Sequence, residues 1–343
     1  MGELMTPAAP ASALTRRTLL AAGAGLLGAG LAACGGQQPE QPAASPGAIP
    51  LTLGFSYIPD IQFAPFYAAD AHGFYREAGL DVTLRHHGGS ESLFGALEQG
   101  QEDLLVASGD ELLQACSAGS ELVSVARVYQ TYPVALIVPA DSDIQTAADL
   151  RGRTVGTPGP YGGNWFALLA ILAGAGLTPE DLTIDYIGFT QQAALTTGAV
   201  DGVMGYLNNE AVRLTAAGTP VRTITLPEDA ALASIAINTT RALTQQQPDA
   251  VRAFVAASLR GIRSVVEDPA GAVELSGDYI PGLTASARRD AEATLAATIP
   301  LLGDASGRHD LQQWERMAQF MAEADLLEGE VDWSQAVTND FLP

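Results

Sequence analysis

From Leu51 the chain switches repeatedly between two hydrophobic periods. Leu51-Thr52-Leu53-Gly54-Phe55 alternates with the period of two expected of a strand and breaks into the loop Ser56-Tyr57-Ile58-Pro59-Asp60. Residues 63–75 carry helical spacing interrupted at Gly73, which assigns Phe66, Tyr67, Phe74 and Tyr75 to the core. Strands are predicted at 80–84, 104–107, 123–129 and 134–138, with helices at 92–99 and 111–118 between them. Strands separated by helices at this spacing build a parallel sheet covered on both faces.

A second unit of the same kind opens at Asp149-Leu150-Arg151-Gly152-Arg153. It predicts strands at 154–156, 183–187 and 202–206, and helices at 164–173, 191–197 and 210–217. The strand-like run Ala233-Ser234-Ile235-Ala236-Ile237-Asn238 returns the chain to the first unit. From Gln247 the pattern is almost wholly helical, and Pro248 suits the first turn of a helix. The fold class expected is therefore α/β with two lobes, each a mostly parallel sheet flanked by helices. Crossings are expected near 138–145 and 225–238. Lobe I then comprises 51–140 and 230–343, with a helical C-terminal wrap, and lobe II comprises 141–229.

The first 50 residues follow a different logic. Arg16-Arg17 precedes an Ala/Gly/Leu run that ends in Leu31-Ala32-Ala33-Cys34, the build of an export signal over 1–33 with a lipid-acceptor cysteine after the cut. The arginine pair fits the twin-arginine route or an ordinary secretory signal. Residues 34–50, rich in Pro, Gln, Gly and Ala, read as a tether. The expected location is the extracytoplasmic face of a cell membrane, held by lipid on Cys34.

Composition narrows the chemistry. Net charge is −22, and losing Arg16, Arg17 and Glu3 with the signal makes it one unit more negative, a field that repels nucleic acid. All 17 basic residues are arginine, so no lysine nucleophile or lysine–pyridoxal aldimine can form. With Cys34 acylated, Cys116 is the one remaining thiol, read as a core residue, and an intrachain disulfide is excluded.

Ligands of open α/β sheets sit at the carboxyl ends of the strands. The loops at those positions share aromatic and uncharged polar residues: Tyr57, Asp60, Gln62 and Phe63; Ser108 and Asp110; Tyr129; Tyr161, Gly162, Asn164 and Trp165; Thr190; Tyr206, Asn208, Asn209 and Glu210. Flat rings edged by amides and carboxylates suit a planar, polar, uncharged or cationic ligand, though each ring could equally be packing. The loop Gly159-Pro160-Tyr161-Gly162-Gly163 before a helix reads either as an anion cradle or as a tight turn leaving room for ligand. Arginine is nearly absent from these loops, Arg127 being the nearest, which disfavours an anionic ligand. His86 and His87 are adjacent and would point to opposite faces of a strand, and no metal ligand set or nucleophile elbow is visible. No cofactor is expected.

Tyr57-Ile58-Pro59-Asp60-Ile61-Gln62-Phe63-Ala64-Pro65-Phe66-Tyr67 and His72-Gly73-Phe74-Tyr75-Arg76-Glu77-Ala78-Gly79-Leu80-Asp81-Val82 resemble the opening of a known family. These are the thiamine-pyrimidine-precursor and nitrate/taurine-like substrate-binding proteins of ABC importers. Asp149-Leu150-Arg151-Gly152-Arg153-Thr154-Val155-Gly156, Gly188-Phe189-Thr190-Gln191 and Asn208-Asn209-Glu210 are similar to it too, and the likeness is good over 55–225. The first loop and Ala107-Ser108-Gly109-Asp110 look most like a riboflavin-binding branch; the pyrimidine branch carries tryptophan in its first loop, where this chain has Tyr57. The resemblance implies a type II periplasmic-binding-protein fold hinged by two crossovers. It also implies a monomeric receptor that passes its ligand to a permease and its ATPase, and a cleft lined by the loops at 57, 108–110, 161–164, 190 and 208–210. Riboflavin is the expected ligand. Its rings would stack on Tyr57, Phe63, Tyr129, Tyr161 or Trp165, and its hydroxyls would bond Asp110, Thr190, Asn208, Asn209 and Glu210. The alternatives are an aminopyrimidine thiamine precursor, then a sulfonate, and in another class a secreted enzyme. The family's eukaryotic pyrimidine synthases use a lysine-bound pyridoxal phosphate and a histidine, chemistry that a lysine-free chain cannot follow.

Overall fold

The computed structural model describes residues 47–88, 91–227 and 232–343. The expected signal, Cys34 and all of the tether before Gly47 lie outside the described residues. Among the described residues ten strands run in chain order: β1 (Ile49–Phe55), β2 (Leu80–His86), β3 (Leu104–Ser108), β4 (Leu122–Arg127), β5 (Val134–Pro139), β6 (Thr154–Thr157), β7 (Thr183–Tyr186), β8 (Gly202–Tyr206), β9 (Val221–Thr225) and β10 (Ile235–Thr240). The helices of the first half are α1 (Ala64–Ala71), α2 (Phe74–Glu77), α3 (Gly95–Glu98), α4 (Gly109–Ser117), α5 (Gly162–Gly174) and α6 (Gln191–Thr196). Those of the second half are α7 (Glu210–Ala216), α8 (Arg241–Gln246), α9 (Pro248–Glu267), α10 (Pro269–Leu275), α11 (Ala285–Leu302) and α12 (Leu311–Glu323).

The strands form two five-stranded sheets, β2-β1-β3-β10-β4 and β7-β6-β8-β5-β9. In the first, β10 runs antiparallel to both β3 and β4, while β1 is parallel to β2 and β3. The second repeats this arrangement, with β5 antiparallel to β8 and β9. Each antiparallel strand is the first one laid down after the chain changes sheets. The expected two-lobed, mostly parallel α/β architecture is what the chain adopts.

Two details differ from the sequence reading. The strand at 134–138 belongs to the second sheet, so the first crossing is 128–133 and not 138–145. Val134 to Val138 are all buried, and a continuously apolar strand carries no pattern that tells one sheet from the other. Strand β9, an edge strand of half-buried residues, was not foreseen. The second crossing lies between β9 and β10, within the expected 225–238.

The helices after β10 anchor the assembly. Pro248 occupies the first turn of α9, as anticipated, and Phe254, Val255, Leu259 and Ile262 bury its inner face. Trp314 of α12 is buried in a core cluster that includes Leu112 and Leu113 of α4, Leu136 of β5 and Phe166 of α5, so one apolar core joins both sheets. The C-terminal segment covers the β4 edge: Ser124 donates to the Ala336 carbonyl at 2.9 Å and accepts from the Thr338 amide at 3.0 Å. Unpaired strand edges invite association, and this strap removes one.

Helices α1 and α9 cross in close contact at Gly261. A Cβ there would lie 2.1 Å from the Pro65 carbonyl oxygen and 2.8 Å from Ala69 Cβ, so nothing larger than hydrogen fits. Gly261→Ala is expected to push the helices apart and cost about 1–3 kcal/mol through overpacking. Urea unfolding checks this: a lower midpoint at unchanged slope is the predicted result, and an unchanged midpoint would refute the close crossing.

Candidate functional site

The site is built from strand ends of both lobes. Strand β3 stops at Ser108, whose extended backbone (φ −77°, ψ 153°) turns directly into α4. Gly109 is required there, because a Cβ would come 2.8 Å from both Ala233 Cβ and the Trp314 ring. The turn places Asp110 and Glu111 side by side in the first helical turn, where the helix dipole favours negative charge. Asp110 is fully buried. Its Oδ1 accepts from the Ser108 hydroxyl and, at 2.7 Å, from the Glu111 amide; its Oδ2 accepts from the Tyr132 hydroxyl at 2.6 Å.

Glu111 reaches across to the second lobe. Its carboxylate lies 2.6 Å from Ser108 Oγ and accepts from the Gly163 amide, while Tyr132 Oη also lies 3.2 Å from the Gly163 carbonyl. The amide end of the glycine loop, read from sequence as an anion cradle or a turn with room for ligand, is thus filled by the chain's own carboxylate. Gly162 is left-handed (φ +67°), and a Cβ there would lie 3.0 Å from Glu111 Oε1.

Ser108 has one hydroxyl hydrogen but makes two short contacts with carboxylate oxygens. The second contact needs a proton on a carboxyl group. Burial first, and Glu111's charge second, push the Asp110 carboxyl up to about 7; burial likewise raises that of Glu111. The pair holds a proton well above the usual carboxylate range.

The first-lobe loop is held from beneath. His86 stacks on Phe55 with ring centroids 4.6 Å apart and lies between two oxygens, its Nδ1 3.0 Å from the Tyr57 carbonyl and its Nε2 3.0 Å from the Tyr67 hydroxyl. Nδ1 donates to the carbonyl, so Nε2 accepts from Tyr67, and burial keeps the ring neutral by lowering its pKa. Asp60 caps the short turn Ile61–Phe63 by accepting the Gln62 amide at 3.1 Å. Its other oxygen faces Arg213 of α7 at 3.9 Å, and the Tyr57 hydroxyl bonds the Asn209 side chain. Glu210 turns back on its own strand, accepting the Tyr206 amide at 2.8 Å, and burial raises its pKa.

Several expected residues therefore meet: Tyr57, Asp60, Asn209 and Glu210 at one position, Ser108 and Asp110 with Gly162 at another. Tyr206 feels the charges of Glu111, Asp110 and Glu210, which links the two groups. Others take different places. Phe63 is a core residue packed 4.6 Å from Phe55, and Tyr129 is 4 % exposed, so neither presents a ring face to a ligand. Asn208 is fully buried, donating to Thr298 Oγ1 at 3.0 Å and Tyr129 Oη at 3.4 Å, an interaction of the hinge with α11. Gln62 contributes its backbone, and Thr190 is exposed with its hydroxyl bonded to the Ile187 carbonyl at 2.7 Å. Trp165 is half-buried and stands edge-on to Tyr186 at 6.3 Å, while Tyr161, Tyr186 and Phe189 are exposed. Buried Thr157 Oγ1, Asn164 Oδ1 and Asn208 Oδ1 have no protein partner.

Arg213 was missed. Its spacing of three from Glu210 on a helix is the signal that would have placed it on the cleft. Arg127, the arginine named from sequence, instead donates from Nε to the Tyr129 carbonyl at 2.9 Å and serves the hinge. A cavity of about 500 Å³ opens beside Asp60 and Arg213, between α7 and α11, with Ile61, Leu283, Ala287 and Asp290 among its walls. It stops short of Asp110. Among the described residues no three His, Cys, Asp or Glu side chains are grouped to hold a metal ion.

The raised Asp110 carboxyl has a sign that can be checked. Above pH 4 the folded chain binds a proton there that the unfolded chain has released, so its contribution to stability declines as pH rises toward about 7. Asp110→Asn cannot ionise, and it keeps an oxygen for Ser108 while Tyr132 retains the Gly163 carbonyl. The Tm of this variant is expected to gain on the parent between pH 5 and pH 8; a constant difference would contradict a shared proton.

The family described as NMT1/THI5 like matches residues 60–272. The riboflavin-binding protein RibY of Chloroflexus aurantiacus is 35 % identical over 331 residues, 91 % of this chain and 94 % of that protein. The 4-amino-5-hydroxymethyl-2-methylpyrimidine phosphate synthase of Legionella pneumophila is 23 % identical over 297 residues, 85 % of this chain and 92 % of that one. Among solved structures, the periplasmic aliphatic sulphonate binding protein SsuA from Escherichia coli superimposes with a TM-score of 0.68 at 17 % identity, covering 84 % and 92 % of the two chains. That last likeness is one of fold alone. By both the matched span and the extent of identity, the chain belongs to the NMT1/THI5-like family.

Proposed function

We propose that the protein is an extracytoplasmic solute receptor that captures riboflavin between its lobes and delivers it to an ABC permease. The observation that carries this reading is the group of polar side chains at the lobe junction, Asp60, Asn209 and Glu210 beside Tyr57, with Tyr206 in the field of Glu210 and of the Asp110–Glu111 pair. Acceptors bordered by rings match a flat heterocycle bearing hydroxyl and N–H donors. The 35 % identity to a riboflavin-binding protein across nearly the full length supports the same ligand. The rings offered to the flavin are Tyr57, Tyr161 and Trp165; the hydroxyl partners are Glu210, Asn209 and Asn164.

Binding without turnover accords with a chain that has no lysine. Carboxylates also suit a cationic amine, so an aminopyrimidine is the second reading, favoured by Asp60 and Glu210 beside Tyr57. The cross-lobe contacts supply the two states a permease needs to distinguish, since ligand that bridges the lobes shifts the balance toward closure.

Titration of the signal-free protein with riboflavin is expected to quench flavin fluorescence saturably. Glu210→Ala should weaken the affinity by about 1–3 kcal/mol through ligand donors left unpaired. Absence of quenching excludes the flavin, and unchanged affinity removes Glu210 from the site. Anchoring through Cys34 is checked separately: in a bacterial host Cys34→Ala should move the protein from the membrane fraction to the soluble extracytoplasmic fraction, and unaltered fractionation would refute the lipid anchor.

A further inference from the structure

The charge around the cleft is markedly one-sided. Asp60, Glu210 and the proton-sharing Asp110–Glu111 pair occupy the lobe junction, and Asp290 adds a further carboxylate on the wall of the cavity between α7 and α11. Against them stands one guanidinium, Arg213, already facing Asp60 at 3.9 Å and within the field of Glu210. Arg127 is turned to the hinge carbonyls of Tyr129 and Gln130. The amide of Gly163, at the start of α5, is committed to Glu111. Of the two features that ordinarily receive a phosphoryl group, the arginine fork of Arg213 stands 3.9 Å from the Asp60 carboxylate, and the Gly163 amide at the α5 N-terminus is taken by Glu111. The fully buried Asn208, whose Oδ1 has no protein partner, adds an acceptor and no cation.

We infer that the cleft selects the unphosphorylated form of its ligand and rejects the phosphate monoester by charge. Resting on the receptor reading above, the inference concerns the charge class of the ligand and holds for a flavin or an aminopyrimidine alcohol alike. A phosphomonoester carries about −1.5 to −2 at neutral pH, and each carboxylate within several ångströms opposes it in a medium less polar than water. A monoester present outside the cell must then be hydrolysed before capture. Water displaces the alcohol from phosphorus in that reaction, giving the free hydroxyl compound and inorganic phosphate.

The test compares two pairs of probes, riboflavin with riboflavin 5′-phosphate and the aminopyrimidine alcohol with its phosphate, by calorimetry on the signal-free protein at pH 7.5. Within the pair that binds, the alcohol is expected to bind about 100-fold tighter than its phosphate, equivalent to about 2.7 kcal/mol. Asp60→Asn keeps the turn-capping oxygen and should narrow that ratio by about tenfold. Asp290→Asn, an exposed position on the cavity wall, should narrow it less, without risk to folding. Failure of riboflavin alone would overturn the flavin reading and leave the pyrimidine pair to decide the charge rule. Equal affinities within a pair, tighter binding of the phosphate, a ratio that neither variant moves, or no binding by either pair would overturn the inference.

Discussion

A fully buried carboxylate with a half-buried one beside it at the start of a helix can be tolerated only if a proton or a dense set of donors accompanies them. Asp110 and Glu111 have both. Ser108 lies between them, Tyr132 donates from the crossing segment, and the Gly163 amide comes from the opposite lobe. Besides the Glu111 amide of α4 itself, the donors belong to elements with their own structural duties: the end of β3, the hinge and the beginning of α5. The pair can therefore be satisfied only when both lobes and the crossing are in place, and the remaining cleft geometry is arranged around it.

The same logic extends outward from that centre. His86 fixes the Tyr57 carbonyl from below, Asp60 caps its own turn and faces Arg213, and Glu210 turns back on the Tyr206 amide. Asn208 and Thr298 connect the hinge to α11. His86–Tyr57, Asp60–Gln62 and Glu210–Tyr206 lie within one lobe, while Tyr57–Asn209, Asp60–Arg213 and Glu111–Gly163 span the gap. Separating the lobes would break the spanning set and leave the within-lobe contacts standing, the pattern of hinge closure around a ligand.

Much of this was legible in the sequence for definable reasons. Period-two and helical spacing gave nearly every element, because half-buried strands and amphipathic helices print their burial directly on the chain. The loops at 57–60, 108–110 and 206–210 stand out in the sequence because they follow strand ends and mix rings with polar groups, and the structure brings them to the lobe junction. What escaped notice lacked a local signal. Val134 to Val138 is apolar throughout and fits either sheet; β9 is a short edge strand with both faces half-wet. Phe63 and Tyr129 look like ligand rings in a one-dimensional reading, but Phe63 packs on Phe55 of the preceding strand and Tyr129 meets Asn208 and Thr298 of α11, which come from far along the chain. Arg213 was passed over because its role depends on Asp60, 153 positions earlier and in the other lobe.

The central claim is that a flat ligand lies at the junction of the 57–60 and 206–210 loops, held by both lobes at once. A crystal structure of the riboflavin-loaded protein tests it most directly. The account predicts the ring system against Tyr57 with its hydroxyl groups within hydrogen-bond distance of Glu210 or Asn209, and the Asp110–Tyr132 contact intact. A flavin bound outside the lobe junction, or held by one lobe alone, would contradict it.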